Sequence, residues 1–199
     1  MLERIQDRSI LHELISGGET LLHGARRAMA QWAIVDDYDQ ILDLDCGDGK
    51  LLDYMSKRYS LRACGITNTP AHARSLRNKL PDCEVFSARK EDIPWRDDAF
   101  NAVFYQMKSS DENETGDFLN EVVRVLKPGG QVLIALQGIP EILNGISSLL
   151  GFTDGDRVGH IKLLRWMEKA GLSDVSWRIT GPMSGLAMGW KQHEAEACD

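Results

Sequence analysis

Long apolar runs are missing from this sequence: nowhere in its 199 residues is there a stretch of about 18 apolar residues, the minimum for a membrane-crossing helix. A surplus of basic charge is missing too. Lys and Arg number 23 against 30 Asp and Glu, a net charge of -7. With no basic cluster to neutralise phosphates, general nucleic-acid binding is excluded. Cysteine is scarce: Cys46, Cys64, Cys83 and Cys198 make four, with no pair at metal-ligand spacing. They read as reduced thiols packed in apolar surroundings, without a metal. The opening MLERIQDRSI carries no apolar leader segment, so a cytoplasmic location is expected. Internal repeats, linkers and low-complexity tracts are also absent, and the length suits a single domain with a sizeable core.

What is present is a regular alternation. A helical pattern runs to about Val35, with Ile10, Leu11, Leu14 and Ile15 on one face and Leu22, Ala25, Met29 and Trp32 resuming it after Gly17 and Gly18. From Gln40 short strands and helices take turns. QILDLD is a strand, and Leu51, Leu52, Met55 and Tyr59 stripe the helix after it. LRACGI is the second strand; Thr69 then caps a helix that begins at Pro70 and is stopped by Pro81. CEVFS, AFNAVFYQ and QVLIAL follow as strands, with a helix through Phe118, Val122, Val125 and Leu126 that KPGG closes. This order predicts a parallel sheet with helices on both faces, an α/β doubly wound architecture that binds ligands at the carboxyl ends of its strands. The end differs. After an apolar stretch, IPEILNGISSLLGF, and a helix near HIKLLRWMEKAG, the strands DVSWRIT and LAMGWK are separated only by a turn and should pair antiparallel.

The segment ILDLDCGDGK, from Ile41 to Lys50, carries the chemistry. A strand running into Gly47-x-Gly49 and then a helix exposes backbone N–H groups, and glycine lets a ligand approach closely. The dinucleotide fingerprint is not met, because its three glycine positions read Asp45, Gly47 and Lys50. A pyrophosphate here would also meet the like charge of Asp45 and Asp48.

Together ILDLDCGDGK, GITNTP, EDIPWRDDAFNAVFYQ and VVRVLKPGGQVLIA resemble, in order and spacing, the class I S-adenosylmethionine-dependent methyltransferases, nearest to the small bacterial methyltransferase-domain group. The resemblance covers about Gln31 to Gln137 in motif detail. It implies a Rossmann-like, doubly wound, seven-stranded, mostly parallel sheet with an antiparallel last strand. One domain would span residues 1–199: N-terminal helices over 1–35, the cofactor core over 36–137, and a lid segment, helix and antiparallel strand pair over 138–199.

The resemblance also implies a site. Asp43 and the turn Asp45, Cys46, Gly47, Asp48 and Gly49 would hold the methionine end of S-adenosylmethionine. Thr67 and Asn68 stand where the family places a ribose-binding carboxylate, and Arg89 where a carboxylate bonds adenine, with Lys90, Glu91 and Asp92 one to three residues on. Gln106, with Tyr105 and Met107, would line the site from the fourth strand. The family's Phe-Asp pair is Phe100 and Asn101 here. Losing a charge-assisted hydrogen bond costs about 1.5–3 kcal/mol, so the missing carboxylates bear on affinity. The methionine end of S-adenosylmethionine is net positive, and Asp43, Asp45 and Asp48 would offset that loss by recognising it.

Plainer readings stand beside these. Asp45 and Asp48 suit a helix start equally well, Thr67 can simply end a strand, and Arg89 can be a solvated or salt-bridged charge. Lys127 needs no chemical role, the acidic loop SSDENETGD suits solvent, and His160 suits a helix cap. The expected function is transfer of a methyl group to a small-molecule acceptor. The alternative is a methyltransferase-like binding module or partner subunit without catalysis.

Overall fold

The computed structural model describes residue 22 and residues 24–108, 116–137, 159–181 and 184–193. The helical pattern expected before Leu22, the apolar stretch 139–152, most of the acidic loop and Cys198 lie outside the described residues.

Among the described residues twelve elements follow one another: α1 Gly24–Trp32, β1 Gln40–Asp43, α2 Lys50–Tyr59, β2 Arg62–Thr67, α3 Pro70–Lys79, β3 Glu84–Ser87, β4 Phe100–Lys108, α4 Phe118–Val125, β5 Leu126–Gln137, α5 His160–Lys169, β6 Leu172–Gly181 and β7 Ser184–Lys191. The seven strands form one sheet in the order β3-β2-β1-β4-β5-β7-β6. Strands β1 to β5 are parallel, and β7 runs antiparallel between β5 and β6. The order reverses between β1 and β4, so the ends of these two strands open a crevice of the kind in which such sheets bind ligands.

Each helix folds for a readable reason. In α2 the residues Leu51, Leu52, Met55 and Tyr59 are all buried, and Ser60 ends the helix in the left-handed region at φ 51. In α3 the hydroxyl of Thr69 accepts the His72 N–H at 3.3 Å while Pro70 fills the first turn. Two apolar layers result. Leu51, Leu52, Met55, Ala73 and Leu76 join Ile41 and Phe104 on the face covered by α1, α2 and α3. Phe118, Leu119, Val122, Leu163 and Met167 join Leu42, Val103 and Ile134 on the opposite face.

The helix expected to close at KPGG ends earlier, at Val125, because Leu126 already pairs with Phe100. KPGG itself forms an irregularity between that pair and Ala102↔Gln131. Lys127 has a structural task there: its ammonium donates to the Asn101 side-chain carbonyl at 2.7 Å, which also accepts the Gln40 N–H at 3.1 Å. The amide of Asn101 thus ties the starts of β1, β4 and β5 together.

Cys46, Cys64 and Cys83 are buried free thiols. Burial pushes Cys46 up to about 12, with Asp43 adding to it, and pushes Cys64 to about 12 and Cys83 upward. Because the thiolate is the reactive species, all three are expected to resist thiol reagents at pH 8 and to react once guanidinium unfolds the chain. Peptide mapping by mass spectrometry checks this; native labelling of Cys46 would contradict the packing.

Candidate functional site

Asp43 ends β1 in the core, only 1% exposed. The chain beyond it is stitched on both sides: the Leu44 N–H donates to the Phe104 carbonyl of β4 at 2.9 Å, and the Cys46 N–H donates to the Ile66 carbonyl of β2 at 3.1 Å. Gly47 and Gly49 then turn the backbone with φ +50 and +77, a region in which a side chain would be strained. The Gly49 N–H closes on the Cys46 carbonyl at 2.8 Å, and its own carbonyl accepts the Asp53 N–H at 2.9 Å, starting α2.

The group that dominates this turn comes from elsewhere. Arg26 of α1 donates through Nη1 to the Asp43 carboxylate at 2.7 Å and through Nη2 to the Asp45 carbonyl at 2.8 Å. Burial pushes the Asp43 carboxyl above its ordinary value, while Arg26 and the Asp45 N–H pull it down. Burial also works against the Arg26 cation, but Asp43, then Asp48 and Asp45, outweigh it and raise its pKa. Arg26 was not among the expected site residues. Its signal was a charge on an apolar helix face, three and four residues from the buried Leu22, Met29 and Ala30.

The other acids of the turn differ from one another. Asp48 is exposed; it pairs with the Lys50 ammonium at 2.9 Å, accepts the Lys50 N–H at 3.2 Å, and its carbonyl accepts from Lys79 at 2.9 Å. It therefore does what a residue at a helix start does. The exposed Asp45 carboxylate has no ion pair among the described residues and does not cap α2. The Cys46 side chain is packed beneath the turn against Gly65, where an added Cβ would lie 2.9 Å from its own Cβ.

On the neighbouring strand, Thr67 is buried at the end of β2, and its hydroxyl is 2.9 Å from Nδ1 of His72. Asn68 beside it is exposed. The segment after β3 is held from below by Arg124, which donates to the Ile93 and Trp95 carbonyls at 2.9 Å each and to Asp97 at 2.7 Å. Glu121 completes the brace, accepting from Arg124 and from the Ile93 N–H at 3.0 Å. Arg124 holds the Glu121 carboxyl below the usual carboxylate range. On that braced segment the Arg89 side chain is 82% exposed and 3.4 Å from Glu91. Lys90 lies 3.5 Å from the same carboxylate and 5.5 Å from the Tyr105 ring centroid. Tyr105 and Met107 are buried at the end of β4, and Gln106 is half-buried between them. His160 begins α5 and stacks on Trp177 at 5.3 Å.

The turn and Thr67 thus stand at adjoining strand ends, with Arg26 of α1 bonded to Asp43 and His72 of α3 beside Thr67. No group of three or more His, Cys, Asp or Glu suited to a metal occurs among the described residues, and no helix among them is long and apolar enough to cross a membrane.

Residues 41–130 match the family model described as a methyltransferase domain. The chain is 25% identical to the demethylmenaquinone methyltransferase of Renibacterium salmoninarum, covering 61% of this chain and 62% of that one. It is 27% identical to the 2-methyl-6-phytyl-1,4-hydroquinone methyltransferase of Synechocystis, covering 54% of this chain and 36% of that one. The chain therefore spans between about a third and two thirds of the length of these relatives. Among solved structures, it is similar to the phosphoethanolamine N-methyltransferase 2 of Haemonchus contortus bound to phosphomonomethylethanolamine and S-adenosylhomocysteine. That likeness has a TM-score of 0.68 at 14% identity, over 84% of this chain and 52% of that one, and is a likeness of fold.

Proposed function

We propose that this chain, whose residues 41–130 match the methyltransferase-domain model, is a class I S-adenosylmethionine-dependent methyltransferase that transfers a methyl group to a small-molecule acceptor. One observation carries the reading: a glycine turn at the switch point of the sheet, with a guanidinium seated on it and an unpaired carboxylate beside it. The residues present suit a zwitterionic amino acid bearing an extra positive charge. Arg26, two of whose N–H groups are engaged by Asp43 and the Asp45 carbonyl, still has donors for a carboxylate. Asp45 suits the ammonium. A side chain at Gly47 would press on the guanidinium, its Cβ 3.0 Å from Arg26 Nη2.

When bound, S-adenosylmethionine supplies an electrophilic methyl on a sulfonium that is already a good leaving group. The chain's part is then to align and to exclude water. Arg26 and Asp45 would fix the amino-acid end, and Tyr105, Gln106 and Lys90 would line the acceptor side. A proton acceptor is needed only where the acceptor atom carries a proton, so the absence of a catalytic constellation among the described residues is no obstacle to the reading. The names of the two relatives support a quinone or hydroquinone ring as the acceptor class.

The test is a melting curve with S-adenosylhomocysteine. At a hundred times its dissociation constant the ligand contributes about 2.7 kcal/mol, seen as a raised Tm. Asp45→Gly should bind more weakly than the wild type. No rise at millimolar ligand would overturn the reading. Binding without methyl transfer to any quinol would support the non-catalytic binding module, which Thr67 and Arg89, standing in place of carboxylates, favour.

A further inference from the structure

We propose that Arg178 of β6 is a positioning residue for ligand binding: stacked on Trp32, it fixes where α1 lies along the sheet and so sets the Arg26 guanidinium on the glycine turn. The inference rests on the methyltransferase reading and deepens it, since Arg26 is the group given there to the amino-acid end of the ligand.

Its first support is the way α1 is held. The helix packs across β4, β5, β7 and β6, and the side chains it buries are Ala25, Ala28, Ala30 and Met29. Alanine methyls and one flexible thioether make a smooth face. Apolar burial is non-directional, so such a face sets the height of the helix above the sheet far better than its position along it. The directional contacts lie at the two ends. At the start Arg26 donates to the Asp43 carboxylate at 2.7 Å and to the Asp45 carbonyl at 2.8 Å. At the far end the guanidinium carbon of Arg178 lies 3.7 Å from the centre of the Trp32 ring, and just beyond it the Gln131 amide donates to the Ile34 carbonyl at 2.7 Å. The helix rises only about 9 Å from Arg26 to Trp32, so a shift at one end is carried to the other.

The second support is that these far contacts use groups the core does not need. Arg178 is exposed and has no ion pair among the described residues; its one described partner is the indole, whose face attracts a cation and gives the contact a fixed geometry. Gln131 is 2% exposed, and its Oε1 has no hydrogen-bond partner among the described residues. An apolar side chain of similar size would avoid the cost of burying that oxygen. What the amide supplies in return is its hold on Ile34, directly after α1. Arg178 itself stands on β6, four places from β1 in the sheet, about 19 Å from the turn. It acts on a ligand there only through the helix.

The experiment compares, by calorimetry, S-adenosylhomocysteine with 5′-methylthioadenosine, which keeps the nucleoside and the sulfur but lacks the amino-acid end. The ratio of the two affinities reads that end alone. The wild type should prefer S-adenosylhomocysteine by about ten- to a hundredfold, the range of one charge-assisted hydrogen bond. Arg178→Ala should lower the ratio by about two- to tenfold, the range of one cation–π contact, while 5′-methylthioadenosine affinity stays within about twofold. Arg178→Lys, which keeps a cation for the ring, should restore part of the ratio. In a background of Arg26→Ala with Asp43→Asn, adding Arg178→Ala should change the ratio no further, as expected if Arg178 acts through Arg26. A merely structural role would lower the Tm and weaken both ligands together. An unchanged ratio in Arg178→Ala, the same fall in the background without Arg26, or a wild type that binds the two ligands equally overturns the proposal while the methyltransferase reading survives. Failure of the wild type to bind S-adenosylhomocysteine overturns both.

Discussion

Arg26→Ala is expected to cost about 3–5 kcal/mol of stability, the range found when one partner of a buried ion pair is removed. Asp43 is 1% exposed and keeps, without Arg26, only the Asp45 N–H at 3.3 Å. Asp43→Asn should cost less, because Arg26 retains the Asp45 carbonyl and reaches solvent with 18% of its side chain. The double variant should be more stable than Arg26→Ala alone, since it leaves no buried charge. The pH dependence has a definite sign. Asp43 already titrates above its ordinary value because burial outweighs Arg26, and removing the cation raises it further. Between about 3.9, the unfolded value, and that raised value the folded variant binds the extra proton, so its stability falls as pH rises. The wild-type Asp43 is raised as well, so the deficit of Arg26→Ala should shrink as pH falls from the variant's higher folded value to the wild type's and stay level below it. Urea titrations at several pH values test this; equal small losses for Arg26→Ala and Asp43→Asn would show that the pair does not hold α1 to the turn.

The sheet was legible in the sequence because its signals are local. Strand and helix periods alternate through QILDLD, LRACGI, CEVFS and AFNAVFYQ, and each boundary has its own chemistry, as at Thr69 and Pro70. The antiparallel end was legible for the same reason, since the connection between β6 and β7 is too short for a parallel return. The site was legible only in part. Asp43 and the glycines are consecutive, whereas Arg26 meets Asp43 across 17 residues and Arg124 meets Ile93 across 31. No periodicity encodes such pairs. A charge standing among apolar neighbours at helical spacing is their only trace. The two acids of the turn show a further limit: Asp45 and Asp48 read alike, yet the fold gives Asp48 to Lys50 and leaves Asp45 toward solvent. His72 was hidden because its sequence role, three residues into a capped helix, looks purely local.

Gly49→Ala should be nearly as damaging, at about 2–5 kcal/mol, from two separable causes. Its φ of +77 costs a side chain about 1–2 kcal/mol. The new methyl would also lie 2.6 Å from Cδ1 of Leu80 and 3.2 Å from Cδ2 of Leu76, overpacking worth about 1–3 kcal/mol. Gly47→Ala provides the contrast. Its φ of +50 is strained as well, but the methyl would meet only the end of the Arg26 side chain, at 3.0 Å, which can move aside. Gly47→Ala should therefore cost about 1–2 kcal/mol and act chiefly on S-adenosylhomocysteine affinity, by disturbing the guanidinium and the open face of the turn. Adding Leu80→Ala separates the two causes at position 49: it creates a cavity alone, but beside Gly49→Ala it relieves the overlap, so the double variant should be more stable than the sum of the single losses by about 0.5–3 kcal/mol. Strict additivity would assign the whole cost to backbone strain. The glycine would then be required for the bend alone, and the packing of α2 against α3 would have no part in shaping the turn.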